Sequence, residues 1–180
     1  MILPGCRRTR AYYPATYDPL VLAHARALLT STPQGTCDYL DADLRDPAKI
    51  LAGASRTLDF AQPAAVILAA VLHFVTDADD PAGIVATLTG ALAPGSFIAI
   101  SHLTSDFAPE AVTAGIAVYN AQVPATITAR SHAQVTALFG RLALVPPGIV
   151  PVSEWRPSHA PVHSVSADIY AGLATTRHPR

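Results

Sequence analysis

Hydrophobic and polar positions along the chain fall into short blocks whose period alternates between helical and extended. From Asp18 onward, Leu20, Ala23, Ala27 and Leu28 recur at helical spacing. Asp18 suits the cap of that helix and Pro19 its first turn, and Pro33-Gln34-Gly35 closes the segment. Thr36–Leu40 reads as a short strand running into Asp41-Ala42-Asp43-Leu44, and Asp46-Pro47 opens a second helix that turns Ile50 and Leu51 inward. Ala64–Ala70 is apolar at every position, which predicts a central parallel strand covered on both faces. Asp80-Pro81 introduces a helix over Ala82–Leu92, ended by Pro94-Gly95, and Ser96–Ser101 forms another buried strand. Helices over Pro109–Tyr119 and Ser131–Phe139 follow, then two late strands near Leu142–Val145 and Asp168–Thr175, separated by a Pro-rich connection. Residues 1–16 read as irregular, with room for a short strand at Ala11–Tyr13. Strands alternating with helices predict one α/β domain around a mainly parallel sheet, with the late pair as an antiparallel edge.

Composition narrows the class. The 180 residues are 51% hydrophobic and only 14% charged, which excludes a disordered chain. The longest apolar run, Ala64–Leu72, stops at His73, well short of the ~20 residues a bilayer span needs. A net charge of −1 supplies no general attraction for nucleic acid or an anionic surface, and the Arg7, Arg8 and Arg10 cluster reads as a solvated tail. Cys6 and Cys37 give neither a disulfide framework nor metal spacing, and Pro4-Gly5 interrupts any leader-like apolar start, so a cytoplasmic location is expected. Gly-x-Ser-x-Gly, Walker and His-Glu-x-x-His motifs are absent, which leaves hydrolase, nucleotidase and metalloprotease readings without support. Pro161 between His159 and His163 breaks the helix on which that pair could bind zinc.

In an open α/β sheet, ligands bind beyond the carboxyl ends of the strands. Four segments sit there: Thr16-Tyr17-Asp18-Pro19, Asp41-Ala42-Asp43-Leu44, Ala70-Val71-Leu72-His73-Phe74 and Ser101-His102. Each sets polar groups beside apolar ones, the mixture an adenosyl ligand needs, with carboxylates for ribose or amine donors and aliphatic neighbours for the ring faces. Other readings stand beside these. Asp18 also serves as a helix cap, Asp43 as a turn residue, and His73 and His102 as satisfied core histidines. Asp77, Asp79 and Asp80 read as compensation for a helix dipole. Asn120, Gln122 and Arg130 are polar candidates in a lid over Pro109–Arg130, and a solvated surface accounts for them equally.

Taken in order, these segments resemble the S-adenosylmethionine-dependent methyltransferases of the actinobacterial type once grouped as a domain of unknown function. The resemblance rests on Tyr17–Leu29, Ala42–Pro47, Ala70–Val75, Asp79–Ala82, Leu92–Ser96, Ser101-His102, Pro147–Pro157 and Tyr170–Gly172. It implies a class I methyltransferase-like, Rossmann-like sheet with a C-terminal antiparallel hairpin, and S-adenosylmethionine as cofactor. It also implies that Asp18 approaches the ribose, that Asp43 and Leu44 meet the adenine, and that Ala70, Val71, Leu72 and Phe74 line the methionine moiety. His73 is the candidate for an orienting or basic role toward an unidentified small-molecule acceptor.

Against that pattern, the chain has no Gly-x-Gly, and the acid expected after the second strand falls at Thr16. Residues 1–16 are therefore expected not to match, and 17–180 to form the C-terminal part of one domain lacking its first strand and glycine-rich loop. Two functions follow: a small-molecule methyltransferase, or a non-catalytic remnant that binds or oligomerises through exposed sheet edges. No nucleic-acid or membrane partner is expected.

Overall fold

The computed structural model describes residues 8–12, 37–123, 125–156 and 168–176, with side chains from residue 40 onward. The helix expected over Asp18–Leu29, and with it Asp18, lies outside the described residues, as do His159 and His163.

Strands β1 (Arg8–Tyr12) and β2 (Cys37–Asp41) form a parallel two-stranded ribbon, with Arg8 opposite Cys37 and Tyr12 opposite Asp41. β1 starts three residues earlier than the Ala11–Tyr13 expectation, because pairing with β2 rather than local apolarity fixes its extent. Helix α1 (Pro47–Ala54) follows, its first turn capped by the Asp46 carboxylate accepting from Lys49 N at 3.0 Å.

The larger sheet is built from β3 (Ala65–Ala69), β4 (Phe97–Leu103), β5 (Ala143–Leu144), β6 (Val150–Pro151) and β7 (Ile169–Thr175). Its order is β3-β4-β7-β5, with β6 also on β7; β3 and β4 are parallel, and the other pairings are antiparallel. The late antiparallel edge is therefore present. The two-residue β6 inside the Pro-rich connection carries no periodic signal of its own and exists by pairing with Ala171 and Tyr170.

Helices α2 (Pro81–Gly90), α3 (Pro109–Gln122) and α4 (His132–Leu138) complete the described elements. Leu68, Leu72, Val75, Ile84, Val85, Leu88, Ile98, Ile100, Val135 and Phe139 make one core between the sheet and its helices, each buried aliphatic side chain contributing roughly 1.5–3 kcal/mol. Gly172 on β7 is required by close approach: a Cβ there would lie 2.9 Å from the Phe139 ring and 3.0 Å from Ile149.

One expectation is corrected. Ala64–Ala70 is not covered on both faces: Ile67 is 71% exposed, and only Leu68 of β3 is buried. The reason is positional: Ala65, Ile67 and Ala69 share one face of the strand and are all exposed, whereas Val66 and Leu68 on the other face pack toward the core.

Candidate functional site

The parallel strands β3 and β4 end side by side, and the chain leaving each builds the site. Ala70, just past β3, holds a left-handed backbone (φ 50°) that a residue with a Cβ adopts only under constraint. Ser101 supplies that constraint: the Ala70 N–H donates to its Oγ at 2.9 Å and to its carbonyl at 3.2 Å. The bend leaves Ala69 and Ala70 exposed and Val71 half-buried, then starts a single 3-10 turn over Leu72–Phe74.

That turn sorts its side chains. Leu72 enters the core, and Phe74 is half-buried, 6.3 Å from the Tyr119 ring of α3. His73 is 9% exposed, packs on Phe74 at 4.5 Å and meets the His102 ring edge-on at 5.8 Å. Its Nδ1 is buried and has no hydrogen-bond partner among the described residues. Burial, and secondarily the Arg130 charge, hold His73 below the ordinary histidine value, so the ring is neutral at pH 7.

The residue that organises this site is Arg130. Far from being a solvated lid residue, it is 2% exposed. Its Nη1 donates to the Leu72 carbonyl at 3.0 Å and lies 2.8 Å from His102 Nε2. Its Nη2 donates to the Val75 carbonyl at 2.8 Å and to Asp77 Oδ1 at 2.7 Å, and its Nε reaches the same carboxylate oxygen at 3.2 Å. Every guanidinium N–H is thus used.

Because arginine only donates, His102 Nε2 must accept, and Nδ1 must carry the proton that goes to the Leu103 carbonyl at 2.7 Å. Burial, with the nearby Arg130 and His73 charges adding to it and the Leu103 contact opposing it, pulls His102 down to about 4. The main chain strengthens the same junction: Arg130 N donates to the Leu103 carbonyl and Thr128 N to the His73 carbonyl. Asn120 clips the preceding loop by accepting from Ile127 N at 2.8 Å.

The Asp77–Asp80 cluster resolves into separate tasks. Asp77 pairs with Arg130, Asp79 closes a capping box with Thr76, and Asp80 caps α2 by accepting from Gly83 N. Dipole compensation is therefore a partial account only. Among the described residues no group of three metal-ligating side chains converges, and no helix is long and apolar enough to cross a membrane.

At the end of β2, Asp43 is grasped by Arg45, with Nη2 to Oδ2 at 2.6 Å and Nε to both oxygens at 3.1 Å. This side-chain pairing holds the Asp43 carboxyl below the ordinary carboxylate value, and the pair stays at the surface. Leu44 points into the core instead, which leaves its main chain as the part that can face a ligand. Beside the β4 exit, α3 and the following loop border a shallow, open apolar depression of about 260 Å³ lined by Leu103, Val112, Gly115, Ile116, Tyr119 and Ile127.

A family profile described as S-adenosyl methyltransferase matches residues 6–177. The chain belongs to that family. S-adenosylmethionine is the family's cofactor, and the sheet has the class I methyltransferase architecture. A DUF574 family protein from Streptomyces avermitilis is 37% identical, with a TM-score of 0.87 over 98% of this chain and 66% of its own. A Thermobifida fusca protein named as a candidate methyltransferase is 30% identical, with a TM-score of 0.79 over 95% of this chain and 63% of its own. This chain thus spans just under two thirds of either relative's length. The N-methyltransferase NodS from Bradyrhizobium japonicum, solved with S-adenosylhomocysteine, shares the fold at 13% identity and a TM-score of 0.54. None of the curated proteins matches this chain.

The β3 and β4 exits bring together His73, His102, Val71 and Phe74 from the sequence-predicted set, while Asp43 stands apart at the β2 exit. Arg130, one polar candidate of the expected lid, carried no local signal of burial or of its partners. It lies 58 residues from Leu72 and 28 from His102, and only a lone arginine between small residues marks it in the sequence.

Proposed function

We propose that this methyltransferase family member transfers a methyl group from S-adenosylmethionine to a small-molecule acceptor, with His73 as the orienting or basic group. The observation that carries the reading is the His73 ring: neutral, nine-tenths buried, and presenting an Nδ1 that nothing among the described residues engages. Buried polar atoms are rarely left unmatched, and in this reading a bound ligand supplies the partner.

The residues present fit the cofactor. The bend leaves the small residues Ala69 and Ala70 exposed just before the turn that carries the buried ring, and Asp43 offers a surface carboxylate beyond the end of β2. In this reading Asp43 and the main chain of Leu44 hold the adenine, Asp18 the ribose, and Ala70, Val71, Leu72 and Phe74 the methionine portion. Once bound, the sulfonium supplies an already activated methyl group. The protein's part is then positioning and exclusion of water. His73 Nδ1 accepts the proton of an acceptor O–H or N–H, or aims its lone pair by holding that proton. The apolar depression beside Tyr119 suits the acceptor's hydrocarbon part.

Calorimetry with S-adenosylhomocysteine tests the reading, which expects saturable heat; silence at millimolar ligand overturns it. Replacing His73→Ala then separates the roles, since turnover must fall while cofactor heat persists.

A second reading, a binding or oligomerising module without catalysis, is favoured by the exposed Ile67 on β3, a strand whose second edge pairs with no strand among the described residues. Sedimentation tests it. Self-association of the native chain, abolished by Ile67→Lys, is its expected outcome, and a monomer at high concentration removes it.

A further inference from the structure

We propose that Arg130 is a positioning residue for His73, its planar fork clamping the Leu72–Phe74 turn against the end of β4 so that the His73 ring stands where a ligand can meet it. The inference rests on the functional reading above for what His73 does, but not for where it is held. Three separate pieces of chain converge on one guanidinium: the turn through the Leu72 and Val75 carbonyls, the next loop through Asp77, and β4 through His102. Those two carbonyls bracket His73 in sequence, so fixing both fixes the peptide frame that carries the ring. On the opposite side Thr128 N donates to the His73 carbonyl at 2.7 Å, two residues before Arg130. The segment 128–130 therefore holds this turn by main chain and side chain together.

The choice of arginine follows from the geometry. Five donors in one plane reach two carbonyls, a carboxylate and an imidazole simultaneously, whereas a lysine offers three donors from a single atom and cannot span the same set. An arrangement that served stability alone would not need to single out the frame of a ring whose own buried Nδ1 has no hydrogen-bond partner among the described residues. Among the described residues, the charged and titratable groups facing His73 are Arg130 and His102, with Asp77 beyond the guanidinium.

Imidazole NMR of the full chain without cofactor tests this, with the β4–β7 amide signals reporting that the fold is kept. Arg130→Lys retains the charge and loses the fork: the ring-to-ring NOE between His73 and His102 should disappear and the His73 signals should move or split. Asp77→Asn retains the fork and removes only the outer counter-charge. The NOE should remain, while the His73 titration moves further down because the guanidinium is less neutralised. Arg130→Met removes both, so the titration should rise toward the ordinary value. A folded Arg130→Lys protein with wild-type His73 signals overturns the proposal, as does an Asp77→Asn protein whose titration rises toward the ordinary value, since simple loosening moves both variants that way. If the Arg130 variants do not fold, Asp77→Asn decides by the sign of its shift. S-adenosylhomocysteine calorimetry on the wild type keeps the two readings separable. Heat with unmoved His73 signals sinks the positioning role alone; no heat with the expected signal changes sinks the methyltransferase reading alone.

Discussion

Two arginine–aspartate pairs of almost equal length serve opposite ends. Arg45 and Asp43 meet at 2.6 Å, two residues apart, with half of the arginine side chain and over a third of the aspartate exposed. Arg130 and Asp77 meet at 2.7 Å across 53 residues, with the arginine 2% and the aspartate 72% exposed. Distance alone would rank them together. What separates them is burial and reach: Arg130 also donates to the Leu72 and Val75 carbonyls and meets the His102 imidazole, joining segments 28 to 58 residues apart, while Arg45 grasps a carboxylate two residues away at the surface. The pair with the buried arginine is therefore part of a structural junction. The exposed pair is a local clasp on a carboxylate that stays within reach of a ligand.

The largest effect should come from breaking the junction. Arg130→Met leaves buried acceptors unpaired, and chemical denaturation should show a loss of about 3–5 kcal/mol. Acid should come next. The unfolded His102 takes a proton near 6.5, but the folded one only near 4, so its contribution is complete above 6.5 and falls away as pH drops toward 4. Across that window stability should fall by up to about 3 kcal/mol, His73 adding in the same direction, and His102→Gln should flatten the curve measured by denaturant midpoint against pH. The clasp predicts smaller changes. Asp43→Asn should weaken S-adenosylhomocysteine binding by about tenfold to a hundredfold, the worth of one hydrogen bond to a charged group, with little change in thermal midpoint. Arg45→Gln should be the mildest, under about 1 kcal/mol in stability, because exposed pairs gain little against solvent. A large stability loss in Arg45→Gln, or a negligible one in Arg130→Met, would erase the distinction between the two pairs.

Much of the scaffold was legible in the sequence because its signals are local. Asp46-Pro47, Asp80-Pro81 and Ser131 each announce a helix whose cap forms within three residues, with Asp46 accepting from Lys49 N, Asp80 from Gly83 N and Ser131 from Gln134 N. The apolar runs leading into Leu72 and through Ile98 and Ile100 mark strands for the same reason. The site was legible only in part. His73, Val71 and Phe74 follow a strand end that the pattern reveals, whereas nothing near Arg130 tells that it is buried, and nothing in the all-apolar Ala64–Ala70 tells that Ile67 faces solvent.

The sequence by itself thus determined the elements, their alternation, the α/β class and the family, since each depends on capping, period and motif order over a few residues. Tertiary structure alone decided which edge of β3 is paired, which histidine nitrogen carries a proton, and which arginine binds the exits of β3 and β4 together. Those outcomes depend on contacts between segments 28 to 58 residues apart, and burial and hydrogen-bond satisfaction are properties of the assembled chain rather than of any stretch of it.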